Sequence, residues 1–338
     1  MNNGLDINKI KELPKVELHC HLDCSMSYDL VKQLRQRITY EEYLHYYAAP
    51  KKCKNLAHYI KCVGHSLELL HTKEALKMTV QDYFQQLQKD NIIYAEIRYA
   101  PQLHLQNGLK VEEVIETVGE EVQKQIDRTG IKANLIHCTL RHYTEEQSML
   151  AVKNVERYRG SIPVAGFDLA ADEAGFPINN HVKAFKYAQE KGIPITAHAG
   201  EASGPQSVWE TLKNFGTKRI GHGVRSIYDD ELVEYLAENE IHLEICPSCN
   251  VQIDIFKEYK DHSIKELYER GVKVGVNTDG RTLVGISLNE EYKKLVDTFE
   301  WDAGNLLQVN LNAVDVAFIN KDEKRELKSK LESDYKKI

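Results

Sequence analysis

Eight short runs of β-branched and apolar residues recur along the 338-residue chain, and a charged amphipathic stretch follows most of them. Strands that alternate with helices indicate a parallel sheet, because parallel neighbours need a crossover connection between them. Eight such units predict an α/β protein with a closed (β/α)8 TIM barrel rather than an open sheet. The predicted strands span residues 16–22, 92–99, 132–139, 163–169, 193–198, 219–223, 241–246 and 272–278.

The length of the chain suits one such barrel, since this architecture often occupies about 250 residues or more as one unit. We therefore expect a single barrel domain over residues 1–338. The first connection is unusually long, and residues 25–90 are predicted to form a helical cap insertion at the barrel mouth, with a role that the sequence leaves open. After the last strand, residues 288–318 supply the final helices and residues 321–338 a charged tail.

Charge and hydropathy narrow the classes of partner. A net charge of -7 argues against nucleic-acid binding, which depends on clustered Lys and Arg. No window approaches the roughly 18 apolar residues of a membrane span, and the polar start, residues 1–13, lacks a secretory signal. We therefore expect a cytoplasmic protein with small-molecule partners and no membrane contact, of undetermined oligomeric state.

The cysteines do not suggest a disulfide scaffold. They form an odd set without regular spacing, which is typical of reduced thiols. The seven are Cys20, Cys24, Cys53, Cys62, Cys138, Cys246 and Cys249.

The end of the first predicted strand carries two histidines, His19 and His21. Side chains in a strand alternate between faces, so these two imidazoles point the same way, into the barrel mouth. A shared metal ion would require that arrangement. Such a pair is weak evidence alone, because histidine pairs also occur by chance.

Other polar residues end three further strands: His198 the fifth, His222 the sixth and Asp279 the eighth, with Glu201 just after His198. Barrels of this type place their active sites at the carboxyl ends of the strands. Three imidazoles and one carboxylate suit a catalytic zinc ion that keeps a position open for water. Each residue has a simpler explanation: His222 could satisfy a backbone carbonyl, Asp279 could cap a helix, and Glu201 could be a solvated loop carboxylate. Their joint placement at one rim favours a site.

Several segments resemble signatures of the adenosine deaminase family of the amidohydrolase superfamily. They are ELHCHLD at 17–23, TAHAGE at 196–201, GHG at 221–223 and NTD at 277–279, and residues 94–101, 168–173 and 244–250 are similar to further family segments. The resemblance runs from about residue 15 to 318 and implies hydrolytic deamination of adenosine, and of 2'-deoxyadenosine, to inosine-type products and ammonia. It also implies a place in purine salvage and a purine nucleoside as small-molecule partner.

The resemblance also implies roles for individual residues. One Zn²⁺ ion per chain would be held by His19, His21, His198 and Asp279, and would activate a water molecule. Glu201 would protonate purine N1, while His222 and Asp279 would accept the proton of the water. The implied substrate contacts are His21, Asp23, Ala171 and Gly280.

Three positions depart from the family pattern. Gly280 stands where an Asp normally meets purine N7, while Ala171 and Cys24 stand where Gly is usual. The next residue, Arg281, is a permanently charged donor, and we expect it to reach N7 instead. Gly280 also leaves open a sister deaminase of aminodeoxyfutalosine, adenine or a 5'-modified adenosine.

Two other readings compete with this one. Cys246 and Cys249, preceded by His242 and Glu244, superficially match the other class of zinc deaminase, whose signature is H-x-E followed later by P-C-x-x-C. No Pro precedes Cys246 and the spacing is too short, so a tight turn after the seventh strand is the better interpretation. A catalytically silent barrel used as an interaction module is the non-enzyme alternative, and the retained Glu201 argues against it.

Overall fold

The computed structural model describes residues 5–337; residues 1–4, at the polar start, and residue 338 lie outside the described range. Within that range eight strands follow one another along the chain in two sheets of four, and within each sheet every strand is paired in parallel with its sequence neighbours. They are β1 (Lys15–His21), β2 (Ile92–Tyr99), β3 (Lys132–Leu140), β4 (Val164–Ala170), β5 (Ala197–Ala199), β6 (Arg219–His222), β7 (His242–Ile245) and β8 (Lys273–Val276).

The four strands β1–β4 meet the four strands β5–β8 at two seams, and at each seam the backbones pair through a single bridge. At one seam Phe167 bridges Ile195, and at the other Cys20 bridges Asp279. The second seam is held by the backbone N–H of Asp279, which donates to the carbonyl of His19 at 3.0 Å. The strands therefore close into the predicted (β/α)8 barrel, and the predicted fold class is confirmed.

The fifth strand differs most from its prediction. Residues 193–198 were expected to be extended, but the strand comprises only Ala197–Ala199. Pro194 has no N–H to donate to a sheet ladder, so pairing is limited there to the single bridge of Ile195. The seam beside β4 is narrow for this reason.

Helices cover the outside of the barrel, and five of those described lie in the long first connection. Among residues 5–337, none is long and apolar enough to cross a membrane. The α-helices are α1 (Ile7–Glu12), α2 (Tyr28–Leu34), α3 (Tyr40–Tyr47), α4 (Leu56–Lys61), α5 (Gly64–Leu69), α6 (Lys73–Lys89), α7 (Val111–Thr129), α8 (Glu145–Tyr158), α9 (Val182–Glu190), α10 (Pro205–Phe215), α11 (Asp230–Glu238), α12 (Pro247–Gln252), α13 (Ile264–Glu269), α14 (Arg281–Val284), α15 (Leu288–Phe299), α16 (Ala303–Val316) and α17 (Lys321–Tyr335). Short 3₁₀ helices span Leu22–Cys24, Pro101–His104, Asn179–His181, Val224–Tyr228 and Tyr259–Asp261.

Helix α17 corrects the interpretation of the C-terminal region as only a charged tail. Asn320 caps its N-terminus in a capping box with Glu323. Leu327, Leu331 and Tyr335 recur every four residues and are buried. This apolar stripe holds the otherwise charged helix against the protein.

Charged side chains from β2, β4, β6 and β7 form ion pairs inside the barrel. Arg98 donates to Asp168 at 3.1 Å and to Glu244 at 2.5 Å, and all three side chains are fully buried. Arg219 pairs with Glu244 and with Glu96, each at 2.6 Å. Buried charges of this kind are tolerated only when they are paired and hydrogen-bonded. The network fixes the carboxylates on which the site below is built.

Candidate metal centre and active site

Five side chains meet at the carboxyl end of the barrel. His19 and His21 come from β1, His198 from β5, His222 from β6, and Asp279 follows β8. His21 Nε2 lies 3.3 Å from His198 Nε2, and His19 Nε2 lies 3.2 Å from Asp279 Oδ1. One ligand atom from each of His19, His198, His222 and Asp279 lies within 4.8 Å of the others, and His21 Nε2 is 3.7 Å from Asp279 Oδ1. The structure thus brings the residues proposed as ligands together, with His222 beside them.

The outer partners of two histidines determine which ring nitrogen faces the cluster. His198 Nδ1 lies 2.9 Å from the carbonyl of Leu169, and His19 Nδ1 lies 3.1 Å from the Glu244 carboxylate. Carbonyl and carboxylate oxygens only accept hydrogen bonds, so each Nδ1 carries a proton, and in the neutral form each ring would direct its Nε2 lone pair toward the cluster.

These lone pairs give a test of whether a metal ion fits. Within residues 5–337, His19 Nε2 is buried and has no hydrogen-bond partner. It faces the Asp279 carboxylate, another electron donor, at 3.2 Å. Converging nitrogen and oxygen donors of this kind suit a bound cation, which would take the place of any proton between them, so the donor set fits a metal.

The two oxygens of Asp279 have different partners. Oδ1 faces the imidazoles, while Oδ2 accepts from the Tyr59 hydroxyl at 2.8 Å and lies 3.3 Å from the Cys249 thiol. Burial alone would raise the pKa of Asp279, but the contact with His19 and the nearby His21 and His222 hold that pKa well below its usual range. Asp279 is therefore an ionised carboxylate.

Tyr59 was not singled out from the sequence. It lies on α4 in the long first connection, far from Asp279 along the chain, and no local motif marks it. Only the fold brings it to the carboxylate.

Glu201 is 3% exposed, and its Oε1 lies 3.4 Å from His222 Nε2. Burial raises the pKa of this carboxyl group well above its ordinary value, and the negative charges of Asp279 and Glu173 raise it further. This shift favours the protonated form of Glu201, which is the form that a general acid needs.

Glu173 shapes the turn that carries Glu201, and sequence reasoning assigned it no role. Its carboxylate accepts from the backbone N–H groups of residues 200–203 at 2.7, 2.9, 2.6 and 2.9 Å. The Ser207 hydroxyl also donates to it, at 2.5 Å. One buried carboxylate thus satisfies four consecutive backbone donors and fixes the acid in place.

A cavity of about 260 Å³ opens beside these groups. Of the residues predicted for the site, His21, Asp23, Ala171, His198, Glu201, His222 and Asp279 line it. The first connection contributes an apolar wall of Leu56, Tyr59, Ile60, Val63 and Leu67. The cavity is thus polar near the histidine cluster and apolar along the side formed by α4 and α5.

Gly280 was expected to contact the substrate but is not among the residues that line the cavity. A Cβ atom there would lie 2.6 Å from Cys24 Cβ and 3.2 Å from the Cys24 carbonyl oxygen. Cys24 does line the cavity. The two departures from the family pattern are thus one packing arrangement, in which Cys24 fills the space that a side chain at position 280 would need.

The expectation that Arg281 reaches the base is wrong. Its guanidinium is buried, donates to Glu17 at 2.7 Å and to Asp90 at 2.6 Å, and lies outside the cavity lining. Two buried carboxylates require a cationic partner, and that requirement directs the side chain away from the cavity.

A closed parallel barrel with a histidine and aspartate cluster at its carboxyl rim defines the class, an amidohydrolase-type hydrolase. The sequence model of the adenosine deaminase family matches residues 14–334. An adenosine deaminase of Clostridium acetobutylicum is 34% identical over 331 residues, which cover 96% of this chain and 98% of that protein. The chain belongs to the adenosine deaminase family and is a hydrolase that acts on carbon–nitrogen bonds.

Solved structures of other proteins share the fold of this chain. A zinc-bound amidohydrolase from Burkholderia ambifaria superposes with a TM-score of 0.89 at 23% identity, covering 98% of this chain and 94% of that chain. The N6-methyl-AMP deaminase from Arabidopsis thaliana gives a TM-score of 0.85 at 23% identity, covering 97% and 98%.

Replacing Arg281 by Ala should lower the free energy of unfolding by about 3–5 kcal/mol, because Glu17 and Asp90 would remain buried without their partner. Urea unfolding followed by circular dichroism measures this. Arg270→Ala, which removes a surface pair with Asp230, is the control and should change stability much less. Wild-type stability of Arg281→Ala would contradict this account of the residue.

Gly280→Asp should destabilise the fold by about 1–3 kcal/mol, because the new side chain would overlap Cys24. The double variant Cys24→Gly, Gly280→Asp should recover most of the loss. Thermal unfolding of the single and double variants compares them. If both melted at the same reduced temperature, the two positions would not be coupled by packing.

Proposed function

We propose that the protein is a zinc-dependent adenosine deaminase, which hydrolyses the 6-amino group of adenosine and 2'-deoxyadenosine to give inosine-type products and ammonia in purine salvage. One observation carries the proposal. The carboxyl group of Glu201, whose pKa is raised, faces the same cavity as His198 and Asp279, and the donors of these two residues converge with that of His19. That arrangement combines an acid for a ring nitrogen with a metal site for activating water.

Zinc is the metal we assign, with His19, His21, His198 and Asp279 as ligands. Imidazole nitrogens and one carboxylate oxygen are preferred zinc ligands, and the related amidohydrolase from Burkholderia ambifaria binds zinc. When bound, the ion lowers the pKa of water to about 7 and so supplies a nucleophile at neutral pH.

The chain's own residues handle the protons. The raised pKa of Glu201 favours its protonated form, which donates to purine N1 and so reduces the electron density of the ring at C6. Asp279 is ionised, so its carboxylate can accept the proton that the attacking water gives up. Asp23 and the backbone of Ala171 line the cavity and are assigned to the sugar and the purine.

The lining favours a nucleoside over a nucleotide. Among the described residues that line the cavity, none is Lys or Arg, and Asp23 is an acidic one. A phosphate group would therefore be buried without the cationic partners that proteins use to bind it. The family and the curated relatives support adenosine over the sister substrates.

Adenosine should be deaminated with a kcat/KM at least about 100-fold higher than that of AMP, because an uncompensated buried phosphate costs several kcal/mol. The loss of adenosine absorbance and the release of ammonia measure both reactions. A kcat/KM for AMP comparable to that for adenosine would show that the substrates are nucleotides rather than nucleosides alone.

Glu201→Gln should lower kcat by roughly 100-fold or more while the protein retains its metal, because Gln keeps the shape but has no acidic proton. His198→Ala is the contrasting variant and should lose both metal and activity. Elemental analysis beside steady-state kinetics separates the two effects. Wild-type turnover in Glu201→Gln would show that another group protonates the base.

A further inference from the structure

A chain of hydrogen bonds reaches His222 from behind the site. The backbone N–H of Ile264 donates to His262 Nδ1 at 3.0 Å. His262 Nε2 lies 3.2 Å from Asn250 Oδ1, and Asn250 Nδ2 lies 3.1 Å from His222 Nδ1. All four residues are buried, with exposures of 0–4%.

The first link fixes the direction of all the others. A backbone N–H can only donate, so His262 Nδ1 accepts and the proton of this ring must be on Nε2. That proton can only be donated to the amide oxygen of Asn250, which turns the amide NH₂ group toward His222. His222 Nδ1 therefore accepts, and His222 carries its proton on Nε2.

His222 is thus the opposite tautomer of His19 and His198. Those two rings are protonated on Nδ1 and present a lone pair to the cluster. His222 presents an N–H, with Nε2 3.4 Å from Glu201 Oε1 and 3.9 Å from Asp279 Oδ1. Proximity alone groups His222 with the ligands, but its proton separates it from them.

We infer that Asn250 and His262 are positioning residues that lock His222 as the Nε2–H tautomer, so that His222 donates a hydrogen bond in the cavity and neither binds the metal nor accepts a proton. The catalytic part of this inference rests on the proposed function. It revises the expectation that His222 and Asp279 share the role of proton acceptor, and assigns that role to Asp279.

The chain of hydrogen bonds from Ile264 through His262 and Asn250 to His222, called the relay below, starts at a helix terminus. Ile264 is the first residue of α13, and the N–H groups of a first helical turn have no partner within the helix. Asn250 lies on α12 directly after β7, and its own carbonyl accepts from Ile255 N–H at 3.0 Å. An amide is required at position 250, because an aspartate could accept from both rings but donate to neither.

The direct test is the protonation of the His222 ring in the wild-type protein. Long-range ¹H–¹⁵N spectra of protein labelled with ¹⁵N-histidine distinguish protonated from unprotonated ring nitrogens, and the spectrum of His222→Gln assigns the signals. We expect His222 to carry its proton on Nε2 both in metal-free protein and after Zn²⁺ is added. An Nδ1-protonated ring, or loss of the Nε2 proton when Zn²⁺ binds, would overturn the inference.

Variants of the relay test its consequence. Asn250→Asp should accept the proton of His222 Nδ1 and reverse the tautomer, which we expect to lower kcat by roughly tenfold or more with little change in KM. His262→Gln is the matched control, because a Gln side chain can accept from Ile264 and donate to Asn250, and it should retain the tautomer and most of kcat. His262→Leu breaks the relay and should retain neither the tautomer nor most of kcat.

Unchanged kcat and an unchanged His222 spectrum in Asn250→Asp would overturn the positioning role. If the wild-type protein deaminated no nucleoside, the proposed function would fail instead, and the spectra would still decide the tautomer of His222.

Discussion

The candidate site depends on one buried guanidinium. Arg98 lies between Asp168 and Glu244 inside the barrel and donates to both. The same two carboxylates face the Nδ1 atoms of His198 and His19, at 3.2 and 3.1 Å. Each carboxylate therefore stays ionised and holds an imidazole with its Nε2 lone pair directed toward the cluster. Without Arg98, two buried carboxylates would lose the cation that they share, which would weaken the support that they give to both histidines.

The rim residues also share an uncommon backbone conformation. His222 and Asp279 have φ angles of 62° and 64°, in the left-handed region that non-glycine residues rarely occupy, and Ala171 has a φ angle of 80°. Such conformations cost about 1–3 kcal/mol each and persist only where the surroundings impose them. At Asp279 the surrounding structure is the barrel seam, where its N–H and C=O are both bound to β1. Closing the barrel therefore also fixes the carboxylate that faces the histidines.

The parts of this arrangement that follow strand order could be predicted from the sequence. Alternation within β1 placed His19 and His21 on one face, and the ends of later strands located His198 and Asp279. Contacts between distant segments could not be predicted. Tyr59 reaches Asp279 from α4, and the Asn250 relay begins at a helix terminus that no motif marks. Arg281 was assigned wrongly for a related reason. The sequence does not show that Glu17 and Asp90 are buried next to it.

Cys24 and Gly280 show how a departure from a family pattern can be misread one position at a time. Considered alone, Gly280 lacks the acid that is usual at this position, which suggests that a neighbouring residue must replace it. This reasoning gave the wrong expectation that Arg281 contacts the base. Considered together, the two residues keep one volume filled, since Cys24 lies where a side chain at 280 would be. The pair Cys24 and Gly280 still changes the chemistry of the cavity wall. Burial raises the pKa of the Cys24 thiol well above its ordinary value, so it remains a neutral, weak donor where a carboxylic acid would be a strong one.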